Sequence, residues 1–299
     1  MEDCTSEGID PLSMDTWDAF DSIEYVERNY GGMILPEDEE IIRTVITGLE
    51  LLGVSPTSLE RVADIGSGPN FYPAMLLASL LKPDNKMDLI EYAQPNIDFM
   101  RVLLSEGDHI YKNINKVGIE QSIDTHYPWG KFDALIADIG GKNFQDTFNR
   151  ARIASRSIKG NIHELPKFWY DLVSSYFVAE SITTDETECV QAISSVVQAV
   201  RPGGWFIFAV MVGSKGYPAG ENTHFPAANL SVEDFRRIFT SISGIEYELI
   251  PTSVSNEKLR EGYHGMAVIL GTRINSQNPH PAQSEESMHQ IHHPVHPSI

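Results

Sequence analysis

The sequence predicts an α/β protein built on a mostly parallel sheet with helices on both faces. Three observations carry that expectation. From Arg61 onward short apolar runs alternate with amphipathic helical patterns, as they do when each strand returns to a parallel neighbour through a crossover helix. The first run, Val62-Ala63-Asp64-Ile65, passes directly into Gly66-Ser67-Gly68-Pro69-Asn70-Phe71 and then into a helical pattern, so strand, tight turn and helix follow one another. The next run, Met87 to Glu91, ends in a carboxylate. Gly66 and Gly68 lack a Cβ and let backbone approach a ligand closely. An acid at the end of the second strand can accept both hydroxyl hydrogens of a ribose. Together these features describe a pocket for a nucleoside.

Residues 1–14 read as a loose acidic leader. From Asp15 to Tyr30, Trp17, Phe20, Ile23, Val26 and Tyr30 recur at helical spacing until Gly31-Gly32 stops them. A second helix is expected from Glu37 to Leu52, led by Pro36 and closed by Gly53. Strands are expected at 61–65, 87–91, 133–138, 155–159, 170–176, 204–212, 245–251 and 265–271, with helices at 73–81, 95–105, 144–154, 187–200 and 231–241. The helix at 187–200 carries Val190, Ile193, Val197 and Val200 as one stripe to set against the sheet. Arg201-Pro202-Gly203-Gly204 then turns into a very apolar strand, which reads as central. The last two strands flank a loop rather than a long helix, so they are expected as an antiparallel pair at the end of the sheet. After Arg273 the composition collapses to Ser, Gln, Asn, Pro and His, the mark of a disordered tail; half of the ten histidines lie there.

The glycine turn departs from a dinucleotide fingerprint. Phe71 stands where the third glycine would be, and Pro69 removes a backbone donor that a phosphate would use. No P-loop lysine pattern is present. A nucleoside without phosphates fits better, and S-adenosylmethionine is the common one. Lys and Arg number 22 against 42 Asp and Glu, a formal charge of −20. A field of that sign repels phosphate backbones and anionic membrane surfaces, so neither nucleic acid nor membrane is an expected partner. Two cysteines, Cys4 and Cys189, make neither a disulfide framework nor a metal site. The N-terminal residues have no apolar core of a signal peptide, and no run approaches the ~18 apolar residues of a membrane span. A cytoplasmic protein is the default expectation, and its oligomeric state stays open.

Over roughly residues 20–273 the chain resembles the small-molecule methyltransferases that act on nicotinamide, phenylethanolamine, indolethylamine and thioethers. The resemblance implies a Rossmann-like, mostly parallel seven-stranded sheet (58–273) behind an N-terminal helical lid (15–57), with a leader (1–14) and a disordered tail (274–299) outside them. It also implies S-adenosylmethionine as cofactor. Glu24-Tyr25-Val26-Glu27-Arg28-Asn29-Tyr30 resembles the lid helix, whose two tyrosines close over the methionine end of the cofactor. Asp64-Ile65-Gly66-Ser67-Gly68-Pro69, with Tyr72, resembles the family's glycine turn. Glu91-Tyr92 with Asn96 resembles the ribose segment, and Asp133 to Gly141 an extra apolar segment before the third strand. Asn161-Ile162 stands where the family has an acid and an aliphatic residue around the adenine. Tyr176 ends the segment that resembles the fourth strand, and Ser214 to Phe225, with Tyr217, resembles the substrate loop. Some relatives carry a carboxylate at the end of the fifth strand; here Val210 takes that position, so a strongly cationic amine loses its obvious partner.

Methyl transfer from a sulfonium is an in-line displacement with an excellent leaving group, so the protein has only to align the acceptor and exclude water. Tyr25, Tyr30 and Tyr72 can offer ring faces or hydroxyls to the sulfonium, a contact worth about 0.5–2 kcal/mol. Tyr25, Tyr217 and His224 are the candidate catalytic side chains, and Tyr25, Val210, Ser214 and Tyr217 the candidate substrate contacts. A phenol, thiol or protonated amine would need a base, for which His224, Glu221 and Glu180 are the nearest candidates, and His163 falls near the adenine. The resulting expectation is transfer to the nitrogen of a small amine or N-heterocycle. The alternatives are an O-, S- or C-methyltransferase of secondary metabolism and a protein that binds the cofactor without catalysis.

Overall fold

The computed structural model describes residues 17–106, 128–220, 223–253 and 259–275. The acidic leader, Glu221 and the histidine-rich tail from residue 276 lie outside the described residues. Helix α1 (Ser22–Tyr30) starts one residue after Asp21, whose carboxylate accepts the N–H groups of Ile23 and Glu24 at 3.1 and 2.9 Å. That cap forces an extended backbone at Asp21, so the helical pattern expected from 15 to 30 breaks there. Helix α2 (Pro36–Leu51) begins on a proline preset for a first turn.

Then come β1 (Val62–Ile65), α3 (Tyr72–Ala78), β2 (Met87–Glu91), α4 (Gln94–Glu106), α5 (Trp129–Gly140), α6 (Thr147–Ala154), β3 (Ser155–Lys159), β4 (Tyr170–Tyr176), α7 (Glu186–Ala199), β5 (Val200–Met211), β6 (Tyr217–Pro218), β7 (His224–Phe225), α8 (Val232–Ser241), β8 (Ile245–Pro251) and β9 (Met266–Arg273). Seven strands form one sheet in the order β3-β2-β1-β4-β5-β9-β8. The first five pair in parallel, while β9 runs antiparallel to both β5 and β8. This is the Rossmann-like α/β sheet expected from the sequence, and β9 inserts between β5 and β8. The two-residue strands β6 and β7 pair in a separate hairpin inside the segment expected only as a loop.

Strand alternation divides the core. Ile207, Ala209 and Met211 of β5, with Val268 and Leu270 of β9, face α2, α3 and α5. Phe206, Phe208 and Val210, with Ala267 and Ile269, face α7 and α8. A sheet covered on both sides needs strands apolar at nearly every position, which is why these runs do not alternate with polar residues.

Three expected elements differ. Segment 133–138 is not a strand but the body of α5, with Trp129, Phe132 and Ile136 buried along one face. Asp133 on that helix accepts the Thr147 and Phe148 N–H groups at 2.7 and 3.1 Å and the Thr147 hydroxyl at 2.5 Å, capping α6 from a neighbouring element. Expected helix 144–154 divides into a 3₁₀ turn (Gly141–Phe144) and α6. Finally, β5 starts at Val200 and carries the Pro-Gly-Gly turn within it, at a register shift opposite Tyr170 and Leu172.

Candidate active site

A cavity of about 680 Å³ opens at the C-terminal ends of β1 to β4. β1 has β2 on one side and β4 on the other, and the crossovers leave in opposite directions from this point, so loops part and a crevice forms.

The floor is the glycine turn. Gly66 and Ser67 donate N–H groups to the Ile90 carbonyl at 2.7 and 3.2 Å, with Gly66 at φ +66° and Gly68 at +54°. A Cβ on Gly66 would lie 2.4 Å from Val178 Cγ1, so this glycine is required by both conformation and space. Glu91 accepts three backbone N–H groups: Gly68 at 2.7 Å on Oε2, and Tyr92 and Ala93 at 2.9 and 2.7 Å on Oε1. Burial pushes its pKa up, and those N–H groups with Asn96 pull part of the shift back. The carboxylate is thus fixed in orientation, with a lone pair of Oε2 left for a ligand hydroxyl.

At one side of the floor, Tyr92, Asn161, Ile162 and His163 line the wall. Asn161 caps the following 3₁₀ turn by accepting the His163 N–H at 3.0 Å, so its carbonyl oxygen is already shared with the backbone. On the other side stands the loop after β4. Phe177 there adopts a left-handed backbone (φ +60°), costly for a bulky residue, and the wall continues through Val178, Ser181, Thr183, Thr184 and Asp185, the cap of α7. None of these was singled out in the sequence, although the loop that follows a central parallel strand at a change of winding direction is a general place to look.

The roof is aromatic. Tyr25 and Tyr30 of α1 and Tyr217 of β6 stand with Trp17 and Phe20 over the cavity, and Tyr176 closes it from β4. Tyr25 meets Tyr30 and Tyr217 edge-on, each at 6.2 Å between ring centroids. Trp17 stacks on Phe225 at 4.8 Å, and Phe225 on Tyr217 at 5.6 Å. The Ser22 hydroxyl donates to Asn96 Oδ1 at 2.7 Å, tying the roof helix to the Glu91 side of the cavity. The Lys131 ammonium donates to the carbonyls of Tyr30 and Gly32, closing the end of α1. Burial raises the pKa of Tyr25, Tyr30, Tyr176 and Tyr217, so these phenols stay protonated at neutral pH. They can donate hydrogen bonds and present rings, and they cannot act as bases there. His224 also lines this end.

Four expected site residues stand behind the wall rather than on it. Asp64 is buried within β1, accepts the Ser174 hydroxyl and is pushed up to about 7 by burial. Tyr72 turns its hydroxyl to Asp38 Oδ1 (3.1 Å) and stacks on Phe132, reaching the cavity only through Tyr30 and Tyr176. Val210 points into the layer against α7 and α8, because strand alternation sends its neighbours Ala209 and Met211 to the other side. Ser214 is fully buried and closes its own turn onto the Gly216 N–H at 3.3 Å.

The cavity fits a nucleoside with a polar tail. Ser67 Oγ, Asn70 Nδ2 and Ser181 Oγ are buried on its lining with no hydrogen-bond partner in the protein, a costly state that a polar ligand relieves. The carboxylate floor, the close-approach glycines and the ring-faced roof suit, in turn, ribose hydroxyls, a sugar–tail junction and a cation.

A family model described as the NNMT/PNMT/TEMT family matches residues 12–270. No curated protein matches the chain in sequence. Among solved structures, the chain is similar to a SAM-dependent methyltransferase from Leishmania major, at 14% identity and TM-score 0.49, covering 87% of this chain and 81% of that one. It is similar to the CurJ carbon methyltransferase, at 13% and 0.47, covering 89% and 62%. A SAM-dependent methyltransferase from Methanosarcina mazei matches at 12% and 0.43, covering 74% and 95%.

Proposed function

The chain belongs to the NNMT/PNMT/TEMT family and is an S-adenosylmethionine-dependent methyltransferase; on that premise we propose that it methylates the nitrogen of a small cytoplasmic amine or N-heterocycle. The observation that carries this reading is the roof. Its phenols are held protonated by burial, so the tyrosines over the acceptor cannot strip a proton from an incoming phenol or thiol, which would have to turn to His224 at the hairpin. A heterocyclic nitrogen or a neutral amine arrives with its lone pair free and needs no such base. The cavity is of small-molecule size, within the usual range of ~300–1,000 Å³.

When bound, S-adenosylmethionine supplies a methyl group on a sulfonium, which leaves as a neutral thioether. The residues of this chain hold and enclose the reactants. Glu91 takes the ribose hydroxyls on Oε2, while Tyr92, Asn96, Asn161 and Ile162 flank the adenosine. Gly66, Ser67 and Gly68 let the backbone reach the tail, and Ser67 and Asn70 give it their unpaired polar atoms. Tyr25 and Tyr30 line the roof and would face the sulfonium, where ring faces would stabilise its positive charge and the packed helix would exclude water. Tyr217 orients the acceptor beneath α1, and His224 is the side chain available to take a proton from an amine once it is methylated. Asp64, Tyr72, Val210 and Ser214 support these contacts from behind. Residues 15–57 act in this reading as the lid, and 58–273 as the transferase body.

The test is S-adenosylhomocysteine production from the purified protein across a pyridine carboxamide, an arylethylamine, an indole amine, a thioether, a thiol and a phenol. Turnover confined to the nitrogen acceptors is expected. Turnover confined to the thiol or phenol would overturn the nitrogen assignment.

A further inference from the structure

The roof leans on a side chain that does not itself reach the cavity. Arg260, on the loop between β8 and β9, places its guanidinium carbon 4.6 Å above the Tyr217 ring. The guanidinium also hydrogen-bonds the Tyr25 hydroxyl. It is not part of the cavity wall, and its Nη1 is buried with no acceptor among the described residues. A buried N–H left unanswered is costly. A cation kept at that cost, behind the wall, has its effect on the two rings it touches.

The loop is clasped to its surroundings. The Lys215 N–H donates to the Glu261 carbonyl at 3.1 Å, and the Lys215 ammonium to Glu261 Oε1 at 3.0 Å. The His264 N–H donates to the Val212 carbonyl at 2.9 Å, and the Tyr263 hydroxyl to Glu37 Oε1 at 2.9 Å. These bonds fix the loop to the exit of β5, just before the hairpin that carries Tyr217, and to the start of α2. Arg260 is therefore in place before a ligand arrives.

The hydrogen bonds at Tyr25 have a direction. Burial raises the Tyr25 pKa, and Arg260 and Tyr30 each draw it back, the sense in which the Tyr25 oxygen receives both bonds. Tyr30, held high first by burial, is raised further by the same contact, as the donor is. With a guanidinium N–H and the Tyr30 O–H on its oxygen, Tyr25 has only its own hydrogen left to give. Donors on an oxygen polarise its O–H and strengthen it as a donor. Tyr25 lines the cavity, so that hydrogen faces a ligand. A hydroxyl that can only donate, with a cation behind it, suits an anion. S-adenosylmethionine carries one anionic group, the carboxylate of its tail.

We propose that Arg260 is a positioning residue that fixes Tyr25 as a hydrogen-bond donor to the carboxylate of the cofactor tail. The proposal rests on the placement of Tyr25 over the tail end of the cofactor, and not on which acceptor atom is methylated.

Calorimetry on the full-length protein tests it with S-adenosylhomocysteine and with 5′-methylthioadenosine, which lacks the amino-acid tail. Arg260→Met should weaken S-adenosylhomocysteine roughly tenfold, the effect of one charge-assisted hydrogen bond. It should leave 5′-methylthioadenosine unchanged, which also reports an intact fold. Arg260→Lys keeps the charge without the planar fork and should recover part of the loss. Tyr25→Phe should show the same selective loss, and Arg260→Met added to it should cost little more, because the arginine acts through that hydroxyl. Equal weakening of both ligands would make Arg260 a packing residue and overturn the proposal. A full further loss in the Tyr25→Phe background would overturn it too, since the arginine would then act on its own. If Tyr25→Phe shows the loss and Arg260→Met does not, Tyr25 keeps its place over the tail and the proposal alone falls. If Tyr25→Phe binds both ligands as the parent does, Tyr25 leaves the tail and the proposal falls with it. The expected losses without methyl transfer to any nitrogen acceptor would uphold the role of Arg260 and remove the nitrogen assignment alone.

Discussion

Glu91 shows how one side chain can brace the fold and still face the cavity. It accepts three backbone N–H groups and so stitches the glycine turn to the start of α4, while one lone pair stays open to the cavity. Two substitutions separate the roles. Glu91→Ala should weaken S-adenosylhomocysteine by about 1–3 kcal/mol and also lower the melting temperature, since buried N–H groups lose their acceptor. Glu91→Gln keeps one oxygen for the Tyr92 and Ala93 N–H groups but turns an NH2 toward the Gly68 N–H, so it should lose affinity with a smaller loss of stability than the alanine variant. Calorimetry and thermal melts on both variants check this; equal affinity in all three proteins would remove Glu91 from the site. Gly66 makes a second case. Gly66→Ala combines a positive φ with the Val178 clash and should cost about 2–5 kcal/mol in a denaturant midpoint. Val178→Ala added to it should recover the steric part alone; no recovery would mean that backbone strain is the whole cost. Glu91 and the glycines were legible because their work is local: a turn conformation and the end of one strand. Val210 and Tyr72 were not, because which way each faces depends on strand register and on the partner helix, and neither is written in the neighbouring residues.

At the scale of elements, α1 is a roof helix held by few anchors. Its cap is Asp21, the Asp21 N–H donates to the Ala219 carbonyl at 3.1 Å, and Ser22 reaches Asn96. Removing one anchor should loosen the roof without unfolding the sheet. Ser22→Ala is expected to raise the KM for S-adenosylmethionine several-fold and to speed hydrogen exchange in α1, with β1 and β4 unchanged. Tyr25→Ala should lower kcat more than it lowers the melting temperature; a large fall in stability with normal turnover of the folded fraction would return Tyr25 to a packing role. Long periodic elements such as α7 and the apolar β5 were legible in the sequence. Segment 133–138 was not: a short apolar run suits a buried strand or a buried helix equally, and the decision came from Trp129, Phe132 and Ile136 meeting α2 and α3. The β6–β7 hairpin was invisible for a different reason. Only two pairs make it, and it is held by stacking of Tyr217, Phe225 and Trp17 rather than by strand propensity.

Across the whole molecule the acidic balance is not confined to the surface. Three carboxylates, Asp38, Asp64 and Glu180, are buried and each is pushed up to about 7, first by burial; Glu37 raises Asp38 further, and Glu91 raises Asp64. A group whose folded pKa lies above its unfolded value contributes stability that is whole below the unfolded pKa and is lost as pH climbs through the folded one. These three therefore favour the native state most below about pH 4, and that contribution drains away as pH climbs to about 7. Asp171 acts in the opposite sense: Arg201 and the Glu60 and Arg61 N–H groups lower its pKa, so its contribution disappears as pH falls below the carboxylate range. The two limbs give a stability maximum on the acid side of neutrality. Asp38 is the place to test it, because it lies off the cavity wall, at the start of α2, facing Glu37, Tyr72 and Lys131. Asp38→Asn keeps an oxygen for the Tyr72 hydroxyl and removes the charge. The variant should melt about 2–4 °C higher than the parent at pH 8, and the gap should close as pH falls below about 4, where Asp38 is protonated in both states. The net charge of −20 adds an alkaline penalty of its own through repulsion between exposed groups, but that part is screened by salt while a buried carboxylate is not. Melts repeated at about 0.5 M salt should therefore preserve the difference between the two proteins. A difference that vanishes in salt would place the alkaline instability on the surface and not at Asp38.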